Sequence, residues 1–184
     1  DGAQPEPRPV SNRRTFEFEN LLVGLGEDTA WGGFDEEAPA GLCYTSGTTG
    51  APKGVLYTHR SNYLHTLRAL QADAIALTSA DSILVAVPMF HANGWGFPFA
   101  APAVGAKLVL PGRQADGAHL ARLIREEGVT VAAGIQTVWQ NLMDHLDATG
   151  GDVPTLERVL IGGAPCTDAL IQRMEERLQV RVQT

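Results

Sequence analysis

Cysteine is scarce in this sequence: only Cys43 and Cys166 occur in 184 residues. Two thiols cannot build a disulfide framework or, by themselves, a zinc site. They read as reduced, which points to a cytoplasmic protein. Positive charge is scarce as well. Fourteen Lys and Arg stand against 21 Asp and Glu, a formal net charge of −7. A nucleic-acid binder needs a basic face to replace phosphate counterions, so that class is excluded. No apolar run is long enough to cross a bilayer. The nearest approach, Ile83 to Leu110, is interrupted by His91, Asn93 and Lys107 and by Pro88, Pro98 and Pro102. A spanning helix wants about 20 apolar residues without such breaks, and no transmembrane span is expected. An apolar leader is missing too, since Asp1 to Pro9 is polar and rich in proline. There is no repeat of fixed period, and no low-complexity segment beyond that tail.

What is present is enough for a folded core: 44% of the residues are hydrophobic and only 19% charged. Twenty Gly and eleven Pro predict many tight turns rather than a helical bundle. Residues 1–37 read as an extended tail and linker, with a short helix over Thr15–Leu22. Residues 38–184 read as one α/β domain. Apolar runs at Gly41–Thr45 and Val55–Tyr57 flank a Ser/Thr/Gly cluster. Thr58 caps a helix running to about Ala76, with Tyr63, Leu67 and Leu70 on one face. Strands over Ser82–Val87, Lys107–Leu110, Val129–Ala133, Leu156–Ile161 and Val180–Gln183 then alternate with helices. Those helices are expected over Gly94–Val104 (interrupted by glycine), Asp116–Glu127, Thr137–Ala148 and Thr167–Leu178. Such alternation implies crossover units and a mostly parallel sheet with helices on both faces.

The sharpest local feature is Tyr44-Thr45-Ser46-Gly47-Thr48-Thr49-Gly50-Ala51-Pro52-Lys53-Gly54. Its glycines let the backbone turn closely and expose N–H groups, its hydroxyls add donors, and Lys53 supplies a point cation. An oligophosphate needs that inventory. The Walker A frame is absent, because Gly54 follows Lys53. Composition alone leaves two readings open, a phosphate cradle and a plain Gly/Ser/Thr surface turn. The nucleophile elbow Gly-x-Ser-x-Gly is also absent, which excludes the usual α/β-hydrolase chemistry.

Residues 44–54 closely resemble the phosphate-loop signature of the acyl-adenylate-forming superfamily, the AMP-binding enzymes that include acyl-CoA synthetases, peptide-synthetase adenylation domains and luciferases. Val87-Pro88-Met89-Phe90-His91-Ala92-Asn93-Gly94-Trp95-Gly96 is similar to the family's Pro-x-Phe-His motif, and Leu160-Ile161-Gly162-Gly163-Ala164-Pro165 to its nucleotide-binding turn. His-Ala-Asn-Gly-Trp is most like the medium- and long-chain fatty acyl-CoA synthetases. One departure is Gln136-Thr137-Val138-Trp139, where the family usually has Pro before the Thr. Family members also continue, past the equivalent of Thr184, into a Gly-Tyr-Gly-x-Thr-Glu motif, a ribose-binding Asp, a hinge and a small domain carrying the adenylation lysine. The resemblance therefore places this chain in the central part of the large N-terminal domain.

The resemblance implies an ATP-dependent fatty acid–CoA ligase, which activates a carboxylic acid as acyl-AMP and transfers the acyl group to CoA. ATP, Mg²⁺ and CoA are the expected cofactor and co-substrates. Lys53 and His91 are implied as catalytic residues, and Thr45, Ser46, Gly47, Thr48, Thr49 and Gly50 as the phosphate cradle. Thr45 would stand near the metal. Gly162, Gly163 and Ala164 would accept the adenine, while His91 and Trp95 would face the acid, Trp95 at the mouth of an acyl tunnel. Core packing is the competing role for Trp95, and a satisfied core position for His91. Alternatives are an aryl-CoA ligase, an amino-acid adenylation domain, or a non-catalytic nucleotide-binding module. The 184 residues alone are not expected to make acyl-CoA. A homodimer is compatible with the resemblance, and an unpartnered last strand would be an edge for self-association.

Overall fold

Residues 20, 23, 32–45 and 51–184 are described in the computed structural model; the short helix expected over Thr15–Leu22 lies, except for Asn20, outside them. The chain divides into two units, Asp1–Phe34 and Asp35–Thr184, and the second carries the elements below.

Strands β1 (Pro39–Thr45) and β2 (Lys53–Thr58) pair antiparallel as a hairpin, with Cys43 opposite Val55 and Thr45 opposite Lys53. Thr58 then caps helix α1 (His59–Ala69), as its position before an apolar-periodic stretch predicts. Its hydroxyl accepts from the Ser61 N–H at 3.1 Å, and Ser61 Oγ accepts from the Thr58 N–H at 2.9 Å. This reciprocal box satisfies two donors that a helix start would otherwise leave open.

One expectation for α1 is corrected. It stops at Ala69, not near Ala76, because the chain turns away after Leu70 and reaches Ala76 at φ 54°. The carbonyls of Ile75 and Ala76 are instead taken by the guanidinium of Arg158, far along the chain. The face that carries Tyr63 and Leu67 is not the buried one. Both are exposed, and the buried residues of α1 are Thr66 and Ala69.

The remainder is β3 (Ser82–Val85), α2 (Phe97–Val104), β4 (Lys107–Val109), α3 (Gly117–Glu126), β5 (Val131–Gly134), α4 (Gln136–Thr149), β6 (Arg158–Ile161), α5 (Asp168–Leu178) and β7 (Arg181–Gln183). The five strands form one parallel sheet in the order β4-β3-β5-β6-β7. The last strand is paired with β6, through Arg158 opposite Arg181 and Val159 opposite Val182. Alternate side chains feed two cores. Leu84, Ala132 and Val159 face Leu120, Trp139, Leu142 and Met174 of α3, α4 and α5. Ile83, Val85, Val131 and Ala133 face Phe97 and Ala100 of α2 and Ala69 of α1. Strands buried on both faces favour apolar residues at every position, which is why Ile83–Val85 of β3 and Val131–Ala133 of β5 read as unbroken apolar runs. The α/β fold class read from the sequence is the one observed.

A buried ionic clasp locks the entry to the sheet. Asp81 accepts from the Thr78 N–H at 2.8 Å, the Thr130 hydroxyl at 2.8 Å and Arg158 Nη2 at 2.7 Å. Burial pushes the Asp81 carboxyl up, but these donors reverse the effect and hold it below the ordinary carboxylate value.

One further expectation fails in an informative way. The helix predicted over Gly94–Val104 begins only at Phe97. Before it, Ala92, Asn93, Gly94, Trp95 and Gly96 have φ of 48°, 51°, 60°, 55° and 77°, a single left-handed turn. Gly96 closes that turn and Pro98 fixes the first turn of the right-handed α2.

Candidate functional site

Strand order reverses at β3. The chain moves from β3 to β4 on one side and then returns to lay β5, β6 and β7 on the other. In open α/β sheets that reversal leaves a crevice outside the carboxyl ends of the strands, and ligands bind there. The segments leaving this edge are 86–96 after β3, Ile135 after β5, and Gly162-Gly163-Ala164 after β6.

The left-handed turn brings two of these segments together. The Trp95 indole lies on Gly162 so closely that a β-carbon there would stand 2.8 Å from Trp Cη2. Gly163 follows at φ 83°, a backbone state that L side chains rarely adopt. Glycine is thus demanded twice in succession, once by an aromatic neighbour and once by the backbone. Ala164 continues the segment in an exposed position. His91 opens the turn and is exposed; its N–H donates to the Pro88 carbonyl at 3.1 Å, and its carbonyl accepts from the Gly94 N–H at 3.1 Å.

The turn also touches the hairpin. Asn93 Oδ1 accepts from the Cys43 thiol at 3.2 Å. Its amide lies against Gly41, where a β-carbon would come within 3.0 Å of Nδ2. Asparagine suits this position, since it tolerates left-handed φ better than most residues. Cys43 lies two residues before Thr45, so the same strand leads into the Gly/Ser/Thr loop. Thr45 and Lys53 are exposed cross-strand neighbours that frame this loop. Ser46, Gly47, Thr48, Thr49 and Gly50 lie outside the described residues.

Two cavities flank Trp95. A cleft of about 480 Å³ opens between α1 and the ends of β6 and β7, lined by His65, Arg68, Trp95, Phe97, Gly162 and Gln183 among others. Gln183 Nε2 donates to the Ala74 carbonyl at 3.0 Å, while its buried Oε1 has no partner. The second cavity, about 450 Å³, lies between α1 and the left-handed turn and shares His65 and Trp95 with the first. Asn62 and His65 stand one turn apart in a largely polar stretch of α1, where no sequence motif singles them out as site residues. Among the described residues no three His, Cys, Asp or Glu come together as a metal site. Thr45 would offer a single hydroxyl, so the described residues do not by themselves fit Mg²⁺.

A family model described as "AMP-binding enzyme" matches residues 5–184. The chain is 47% identical over 162 residues to a medium-chain-fatty-acid–CoA ligase of Ectopseudomonas oleovorans, covering 88% of this chain and 30% of that protein. It is 48% identical over 158 residues to a long-chain-fatty-acid–CoA ligase of Thermus thermophilus, covering 86% and 29%. Among solved structures, the O-succinylbenzoate coenzyme A synthetase of Bacillus subtilis in complex with ATP and magnesium ion superposes with a TM-score of 0.68. It is 30% identical, and the match covers 80% of this chain and 30% of that one. The chain thus spans about 30% of the length of the curated relatives it matches.

Proposed function

Since the chain belongs to the AMP-binding enzyme family, we propose that it is the phosphate-loop part of an ATP-dependent fatty acid–CoA ligase acting in the cytoplasm. The observation that carries this reading is the hairpin: Thr45 and Lys53 face each other across β1 and β2, with the Gly/Ser/Thr loop between them. In the reaction, a carboxylate oxygen bonds to the α-phosphorus of ATP as the bond to the β-phosphate oxygen breaks, and pyrophosphate leaves with the electron pair. The CoA sulfur then bonds to the acyl carbon, and AMP leaves. Such transfers depend mainly on positioning and on neutralising charge. Lys53 supplies a cation to the β/γ-phosphates, and the loop N–H groups and hydroxyls orient their oxygens. Beyond the Trp95 indole on Gly162, the Gly163-Ala164 backbone has no side chain large enough to bar a flat base. His91 stands at the same sheet edge, where acid and phosphate would meet, and Trp95 closes the cleft that would take the acyl chain. Mg²⁺ would draw its remaining ligands from residues other than those described here.

The test is Lys53→Ala in the full-length enzyme. Losing one charge-assisted contact is worth about 1.5–3 kcal/mol, or roughly 10- to 150-fold in acid-dependent ATP–pyrophosphate exchange. Binding of the acid itself should change much less. Exchange equal to that of the unmodified enzyme would refute the role of Lys53.

A further inference from the structure

The left-handed turn at 92–96 is strained, and its neighbours must hold it. Ala92, Asn93 and Trp95 lie at φ of 48°, 51° and 55° without being glycine, and such residues persist only where their surroundings over-determine them. Most of the seat is packing: the indole of Trp95 rests on Gly162, Gly96 lies against His65 and Gly94 against the Met89 sulfur. Asn93 is seated differently. It reaches back along the chain to the hairpin, where its Oδ1 accepts from the Cys43 thiol at 3.2 Å. Its amide also lies on Gly41, where a β-carbon would stand 3.0 Å from Nδ2. Cys43 is the one buried residue of strands β1 and β2.

Stability does not explain this asparagine. Its Nδ2 is shut off from solvent without a hydrogen-bond partner, as are Asn62 Nδ2 and Gln183 Oε1, and a buried unpaired donor is a cost. Glycine at position 93 would remove that donor and would adopt the positive φ without steric penalty. What glycine could not do is hold the thiol. The two ends of this contact lead to the two halves of the site. Cys43 stands two residues before Thr45, in the strand that enters the Gly/Ser/Thr loop and pairs with the strand of Lys53. Asn93 stands midway between His91 and Trp95.

We propose that Cys43 and Asn93 are a pair of positioning residues that keep the phosphate hairpin in register with the turn carrying His91 and Trp95 during adenylation. The inference rests on the ligase reading above and adds to it two residues that act through their neighbours. The register matters for one of the two steps. In adenylation the carboxylate and ATP are separate ligands held by separate segments, and a misplacement of about 1 Å can cost roughly 100-fold in rate. In thioester formation the acyl and AMP groups arrive already joined and pyrophosphate has left, so the phosphate hairpin has less to align. The S–H···O bond is weak in itself. It acts by fixing where the turn sits, and each partner is useful only with the other.

The experiment uses the full-length enzyme with octanoic acid and takes the ratio of two rates on one preparation. The first is acid-dependent ATP–pyrophosphate exchange at saturating ATP and acid; the second is thioester formation from supplied octanoyl-adenylate and CoA. A loss of folded protein cancels out of this ratio. Cys43→Ala and Asn93→Gly should each lower it about tenfold. The double variant should fall no further than the worse single one, as expected of two residues that act as a unit. Cys43→Ser keeps a donor in place and should stay within about threefold of the unmodified enzyme. Asn93→Gly suits the backbone of the turn, so it decides the matter alone if Cys43→Ala does not fold. A ratio unchanged in Asn93→Gly overturns the inference, because the contact then supports folding and not the register. Losses that multiply in the double variant overturn it, since the two residues then act separately. So does a Cys43→Ser as impaired as Cys43→Ala, which reduces the thiol to packing. In each of these cases exchange by the unmodified enzyme leaves the ligase reading standing. Absence of exchange by the unmodified enzyme with every acid overturns the ligase reading and this inference with it.

Discussion

The parallel sheet and the hairpin are both apolar in sequence, yet they end in opposite environments. Ile83, Leu84, Val131 and Ala132 are fully buried, sealed by helices on both faces. On the two strands of the hairpin only Cys43 is buried, while Leu42 is 55% exposed, Tyr44 63% and Leu56 58%. Tyr63 of the adjoining α1 is 63% exposed too. Apolar sequence therefore identifies surface that will be covered, but not what covers it. The sheet brings its own cover, because each crossover lays a helix back on it. Among the described residues, the hairpin has α1 on one side and no comparable layer on the other. An exposed apolar patch of this kind marks a contact surface, and the relatives are some three times longer than this chain.

If the sheet is the self-sufficient half, breaking its internal clasp should cost most. Arg158→Leu would leave the Asp81 carboxylate buried and short of its ionic partner, with side-chain exposures of 18% and 8% for the pair. Stranding a buried charge costs about 3–5 kcal/mol, which thermal or urea unfolding would register. The Asp81 carboxyl titrates below its ordinary value in the folded state. Its contribution is therefore fully present above the unfolded value of about 4 and is lost as pH falls through the lower folded value. Asp81→Asn should flatten the decline in stability over that acid range. An equally steep decline in the variant would place the acid sensitivity elsewhere.

A smaller effect is expected where the sheet meets the site. In Gly162→Ala the added methyl group would meet the Trp95 ring at 2.8 Å, and the indole must tilt or the strand end must shift. Overpacking of this kind costs about 1–3 kcal/mol. Tryptophan emission should change as the ring moves, and nucleotide binding should weaken. A variant with wild-type stability and an unshifted spectrum would mean that the indole does not rest on this glycine in solution.

Legibility in the sequence followed the range of the interactions. Thr58 announced its helix because a cap acts within one turn; Asp116, expected as the first residue of its helix, is instead the cap of α3, its Oδ1 accepting from the His119 N–H at 3.0 Å. The buried strands were readable because burial on both faces favours apolar residues at every position. The end of α1 was not, since Arg158 captures the Ile75 and Ala76 carbonyls from more than 80 positions away. Nor was the turn at 92–96, where Ala92, Asn93 and Trp95 hold positive φ without being glycine. For the site, the motifs drew attention to Trp95 and Gly162 separately, but only the fold shows that one rests on the other. Asn62 carried no signal at all: an asparagine in a polar stretch of helix is ordinary until its amide proves to be buried without a partner.

The smallest effect, and the one that most sharpens the contrast, belongs to the hairpin. Leu56→Gln in the 184-residue chain replaces a side chain that already faces solvent, so stability should move by no more than about 0.5 kcal/mol. The same substitution in the full-length protein has a different expectation. If other parts of the polypeptide cover the hairpin, Leu56 becomes a core residue there. Burying a polar amide in its place would forfeit about 1.5–3 kcal/mol of transfer free energy, and any unpaired polar group would add to that. Paired thermal unfolding of the two lengths reads the difference directly. A small effect in both would show that the apolar face of the hairpin stays open in the whole protein and serves a separate partner. A large effect in the short chain would contradict the exposure of Leu56 and with it the division between a sealed sheet and an open hairpin.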